Sequence, residues 1–84
     1  MAASSWFKVG KQERVIEVGS VFRHRMRGNA VETATVLGVE KDFMGIPHVI
    51  YDLQVEKSDR GSYRDRRTLA LRTFNDYFEE AITA

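Results

Sequence analysis

The sequence predicts a mainly β domain, built as a small five-stranded barrel with a short C-terminal helix. Two runs of alternating residues fill the middle of the chain, Val31 to Lys41 and His48 to Lys57, and successive side chains of a strand point to opposite faces. The first run sets Val31, Thr33, Thr35, Leu37 and Val39 on one face; the second does the same with Val49, Tyr51, Leu53 and Val55. Asp42-Phe43-Met44-Gly45-Ile46-Pro47 joins them with a glycine that tolerates positive φ and the chain's single proline, so the reversal falls there and the two runs form a hairpin. Only after Thr73 does the apolar spacing change to a helical period.

Composition limits what this domain can be. Its 84 residues suffice for one small core, and a 43% hydrophobic, 30% charged chain is too apolar for disorder. The absence of cysteine excludes disulfides, thiolate zinc sites and thiol catalysis. No apolar run approaches the ~20 residues of a membrane span, and Met1 to Ser5 leads into Trp6-Phe7-Lys8 without a stretch of signal-peptide length. The expected address is therefore the cytoplasm, with no membrane partner. Thirteen basic residues against twelve acidic ones leave a formal charge of +1, so any attraction to polyanions has to come from local clustering.

Met1 to Ser5 is small and polar and reads as a mobile tail. Trp6 to Val9 and Arg14 to Val18 form either an opening hairpin or an arm laid across the barrel, with Trp6 expected to plug the edge of the core. Gly19 and Ser20 precede a strand in which Phe22, His24 and Met26 face one way, and Val21, Arg23, Arg25 and Arg27 the other. Gly28-Asn29 turns the chain into the long Val31 run, where Gly38 allows a sharp bend or a close backbone approach. A long bent strand can serve two sheets, and that favours a barrel over a flat sheet.

Beyond the hairpin, Ser58 to Ser62 reads as an exposed polar loop. Tyr63 to Leu71 resumes the alternation, with Tyr63, Leu69 and Leu71 inward and Arg64, Arg66, Thr68 and Ala70 outward. Asp65 and Arg67 share the phase of the apolar set, which places the first half of this strand at an edge. Phe74, Tyr77, Phe78, Ala81 and Ile82 then follow helical spacing over residues 73–82, with Thr73 as the expected cap and Asp76 in the capping-box position. The barrel itself is expected over residues 19–71.

Val21-Phe22-Arg23-His24-Arg25-Met26-Arg27-Gly28-Asn29, followed by a valine-rich strand, by Val49-Ile50-Tyr51, and by an arginine-bearing strand ahead of Phe74 and Phe78-Glu79-Glu80, resembles a bacterial family of very small SH3-like barrels of unknown function. The resemblance spans Gly19 to Glu80. The Trp6 to Val18 extension and the Ser58 to Ser62 loop have no counterpart in it, and Tyr63 stands for the aromatic usual in the fourth strand. It implies the SH3-like fold and, since barrels of that class bind peptides, nucleic acids or sister subunits, a binding role of unspecified partner.

Catalytic patterns are missing. His24 and His48 are the only histidines; His24 shares the phase of Phe22 and reads as a partly buried, hydrogen-bonded side chain, and His48 as a solvent-facing one at a turn exit. Neither makes a metal-ligand spacing, and serine elbows and phosphate-cradling glycine loops do not occur. Asp42 and Asp52 form no specified acid–base pair. The expectation is a non-enzyme without catalytic residues, metal or cofactor.

The arginines remain. Arg23, Arg25 and Arg27 project from one strand by period two, and Arg64 and Arg66 from another; with Tyr63 and Tyr77 they make up the candidate binding surface. A planar guanidinium suits phosphate and a tyrosine ring offers a base a stacking face. Glu32, Glu40, Asp52 and Glu56, expected on the outward faces of the hairpin, could instead neutralise the same arginines. Two roles follow: a protein-interaction module using the aromatic cluster Tyr63, Phe74, Tyr77 and Phe78, or an accessory binder of RNA or single-stranded DNA. The assembly expected is a monomer or small homo-oligomer.

Overall fold

The computed structural model describes residues 5–9, 12–57 and 61–82, with side chains described from Arg14 onward. The readings of Met1 to Ser4 as a tail, of Trp6 as a core plug and of Ser58 to Arg60 as a loop lie outside the described residues. Ser5 belongs to a strand.

The chain begins with a hairpin, β1 (Ser5–Val9) paired antiparallel with β2 (Gln12–Ile16). Five further strands form one antiparallel sheet: β3 (Val21–Arg25), β4 (Val31–Lys41), β5 (Pro47–Lys57), β6 (Gly61–Ala70) and the two-residue β7 (Glu80–Ala81). Its order, β6-β5-β4-β3-β7, puts β6 and β7 at the edges. The helix α1 (Leu71–Tyr77) follows β6 directly.

One face of the sheet carries the core. From β5, Val49, Tyr51, Leu53 and Val55 are all buried, as the alternation predicts. β4 departs from its expected phase: Glu32, Ala34 and Val36 are buried, while Val31, Thr33 and Thr35 face the other side. A bulge explains it. Val36 pairs with Tyr51 and Gly38 with Ile50, so Leu37 is an extra residue, and from there onward the odd positions turn inward, bringing Val39 against the core. Glu32 is thereby placed on the buried face, contrary to the expectation of an outward, arginine-neutralising carboxylate. The bulge lies beside Gly38, where the sequence suggests a bend or a close backbone approach; a Cβ added there would meet open space, so no close approach requires the glycine.

The helix is shorter than its periodicity suggests. It covers Leu71–Tyr77 rather than 73–82; its N-cap is Ala70, without a side-chain capping bond, and Thr73 sits within the first turn. At the far end, Glu80 and Ala81 pair with Arg23 and Phe22, and Ile82 N donates to Val21 O at 2.9 Å. The free edge of β3 offers these residues a ladder, which overrides helical spacing. Phe74 is wholly buried and meets Phe22 edge-on at 5.5 Å, Tyr51 at 5.1 Å and Phe78 at 4.8 Å between ring centroids. Burial of one such ring contributes roughly 1.5–3 kcal/mol.

Ile16 of β2 enters this core, and Arg14, two residues before it on the same strand, secures the opening hairpin. Its Nε donates to Asn75 Oδ1 at 2.7 Å, its two Nη groups to the carbonyls of Asn75 (2.8 Å) and Glu79 (3.3 Å), and its guanidinium lies 4.7 Å from the Phe22 ring centroid. These are carbonyls at the end of α1, where a cation is favoured. Burial lowers the Arg14 pKa and the nearby Asp76 opposes that shift.

Candidate interaction site

The ladder registers place the arginines. Arg23 aligns with Thr33, Gln54 and Arg64 across four strands, and Val21 with Thr35, Asp52 and Arg66 in the next row, so Arg23, Arg25, Arg64 and Arg66 share the face opposite the core. Three strand spacings, about 14 Å, separate Arg23 from Arg64. Most of this charge is met. Arg23 and Arg25 each approach Glu80 Oε1 at 3.7 Å, and Arg66 approaches Asp52 at 3.8 Å, while Arg64 donates to Gln54 at 3.5 Å. Arg23 Nε is buried without a hydrogen-bond partner among the described residues, beside a depression of about 330 Å³ lined also by Asn29, Thr33 and Lys57.

The other three surface residues do not join them. Arg27 follows β3 in the turn where Gly28 and Asn29 both take positive φ. Tyr63, expected in the inward phase of an edge segment, does lie in the row His24, Glu32, Val55, Tyr63 on the core face and is half exposed, because residues 61–68 of the edge strand reach beyond the packed core. Tyr77 sits on α1, below the sheet. The aromatic cluster is divided as well, since Phe74 and Phe78 are buried.

Beneath the sheet, Tyr77 donates its hydroxyl hydrogen to Glu32 Oε1 and stacks on His24 at 4.0 Å between centroids, with 29° between the planes. Desolvation, reinforced by the bond to Glu32, pushes the Tyr77 pKa up to about 12, so the phenol remains a donor. Burial likewise raises Tyr51. A cleft of about 250 Å³ opens here between α1 and β6.

The turn between β4 and β5 carries the feature that sequence reading missed. Phe43 is 97% exposed, Met44 70% and Ile46 46%. Turns are ordinarily polar, so an apolar Phe-Met-Gly-Ile turn was itself the available signal. The tip is held in place. Asp42 Oδ1 accepts hydrogen bonds from the backbone N–H groups of Met44 (2.8 Å) and Ile46 (3.0 Å), Asp42 N donates to Ile46 O at 3.0 Å, and Gly45 adopts φ 82°. Those backbone bonds depress the Asp42 pKa, Ile46 contributing most. His48 Nδ1 lies 2.9 Å from Ile46 O.

No family model, curated protein or solved structure matches the chain. The described residues hold no group of three or more candidate metal ligands, and no described helix is long and apolar enough to cross a membrane. What the arrangement offers chemically is apolar contact at the ordered hairpin tip, partly neutralised guanidinium groups on one sheet face, and a buried carboxylate under the other.

Proposed function

We propose that this protein is a non-enzymatic protein-interaction module of the SH3-like barrel kind, which inserts the β4–β5 hairpin tip into an apolar recess of a partner protein. The carrying observation is the exposure of Phe43, Met44 and Ile46 on a turn fixed by the Asp42 carboxylate. Large apolar side chains held in water on an ordered tip gain free energy by docking, and pre-ordering limits the entropy lost. The bulge in β4 and the burial of one sheet face under α1 support curling of the sheet toward a barrel. A photo-crosslinking residue at Phe43 should give a discrete protein adduct in cells, whereas the same residue at Tyr63 should not. Adducts of equal yield at both positions, or none at Phe43, would remove the reading.

A second reading, contact with RNA or single-stranded DNA, is favoured by the shared face of Arg23, Arg25, Arg64 and Arg66 and by the unsatisfied Arg23 Nε. Acid pairing of three of those four arginines weighs against it. Replacing all four by glutamine should lower the log–log salt slope of oligonucleotide binding by about 0.7–0.9 per lost phosphate contact if this face binds. Absence of wild-type binding at low salt would exclude it.

A further inference from the structure

Glu32 is the one charged side chain buried among the described residues, and none of their ion pairs includes it. A carboxylate withdrawn from water calls for a cation or several donors, because the desolvation it suffers is otherwise uncompensated. Its described hydrogen bond comes from the Tyr77 phenol, a neutral donor. Glu32 lines the cleft between α1 and β6, whose walls are otherwise mainly Tyr51, Leu53, Leu69, Tyr77 and Phe78. The space, about 250 Å³, lies below the roughly 300–1,000 Å³ of small-molecule pockets and suits one long side chain.

We propose that this cleft is a slot for a single basic side chain, lysine or arginine, of a partner polypeptide, its cation seated against Glu32 and its methylene stem lying along Leu53 and Leu69. Charge complementarity selects the occupant. The aromatic faces add cation–π attraction, and a basic side chain is the polypeptide group that joins an apolar stem to a cationic head. Arg67 also lines the cleft, and its Nε donates to Asp65 Oδ2 at 3.0 Å, so its guanidinium is paired with a carboxylate of its own strand while Glu32 has no ion pair among the described residues. His24, stacked on the outer side of Tyr77 and aligned with Glu32 in the ladder, borders the site without forming an ion pair with it. These residues are separate from the hairpin tip, so the slot and the tip can fail independently.

The test is an NMR titration of the full chain at pH 7.5 with n-butylammonium, using n-butanol as the uncharged probe of the same length. Saturable shifts are expected at the Glu32 carboxylate carbon, Leu69 methyls and Tyr77 ring, with n-butanol binding at least about tenfold more weakly, a difference of about 1.4 kcal/mol. Glu32→Gln, which keeps an acceptor for Tyr77, should erase that preference. Thr73→Lys provides a second variant should the first fold poorly: Thr73 lines the cleft one helical turn from Tyr77, and a lysine there should occupy the slot and abolish butylammonium shifts. Equal binding of the two probes to wild type, shifts centred elsewhere, the absence of saturable shifts, or unaltered butylammonium binding by Thr73→Lys would overturn the assignment.

Discussion

β5 and β6 are hydrogen-bonded neighbours of nearly equal length, 11 and 10 residues, and both alternate in sequence, yet they live in different surroundings. β5 buries four successive inward side chains beneath α1, whereas β6 is exposed over residues 61–68 and meets the core only at Leu69. A ladder is thus enough to hold a strand in register, and packing is a separate decision made by what lies below the sheet. β6 therefore commits few of its side chains to the core.

The contrast depends first on Phe74. Phe74→Ala should cost about 3–5 kcal/mol in urea titration, because the ring is fully buried against residues of β3, β5 and the chain after α1. Thr73→Ala, inside the first turn of a helix that has no side-chain capping bond, should change stability by less than about 0.5 kcal/mol. A cost below about 1 kcal/mol for Phe74→Ala would mean that α1 is not what sets β5 apart from β6.

Arg14 makes the next largest difference, since it ties the opening hairpin to the end of α1. Arg14→Ala should lose about 2 kcal/mol, the scale of charged hydrogen bonds in a half-buried setting, and Arg14→Lys should lose less because the charge survives while the fork is lost. Equal losses for the two variants would show that charge alone, rather than the paired bonds to Asn75, carries the attachment.

High pH probes the underside of the sheet. In the folded chain Tyr77 keeps its proton to about 12, while an unfolded tyrosine releases it near 10. Between those values the unfolded chain binds fewer protons, so stability is complete below about pH 10 and declines as pH rises toward 12. Tyr51, also raised, acts in the same direction. Tyr77→Phe should flatten this decline in denaturant midpoints measured across the window; an unchanged slope would detach Tyr77 from Glu32.

The legible parts of this chain were those with an uninterrupted period. Val49, Tyr51, Leu53 and Val55 announce their burial, and Asp65 and Arg67 in an inward phase announce an edge. The bulge at Leu37 was not legible in phase: one extra residue reverses every preceding side chain, and Val31, Thr33 and Thr35 looked as fit for the core as Ala34 and Val36. For the same reason Glu32 was read as a surface acid. Ala81 and Ile82 carried a helical period that the vacant edge of β3 overrode, a tertiary effect without local trace. The hairpin tip was visible as chemistry but was read only as a reversal, because Gly45 and Pro47 explain the turn without explaining Phe43 and Met44.

The finest test lies within one cross-strand pair. Val55 and Tyr63 face each other on β5 and β6, on the same side of the sheet, with Val55 buried and Tyr63 half exposed. Val55→Ala removes two buried carbons and should cost about 2 kcal/mol, counting the transfer of each group and the space left behind. Tyr63→Ala removes a much larger side chain and should cost less than about 0.5 kcal/mol, since few of its contacts are lost from the core. Side-chain size and buried contact therefore rank the two substitutions in opposite orders. Thermal melts of both variants decide between the rankings, and a larger loss for Tyr63→Ala would place that ring in the packing that holds β6 to β5, ending the distinction between the two strands.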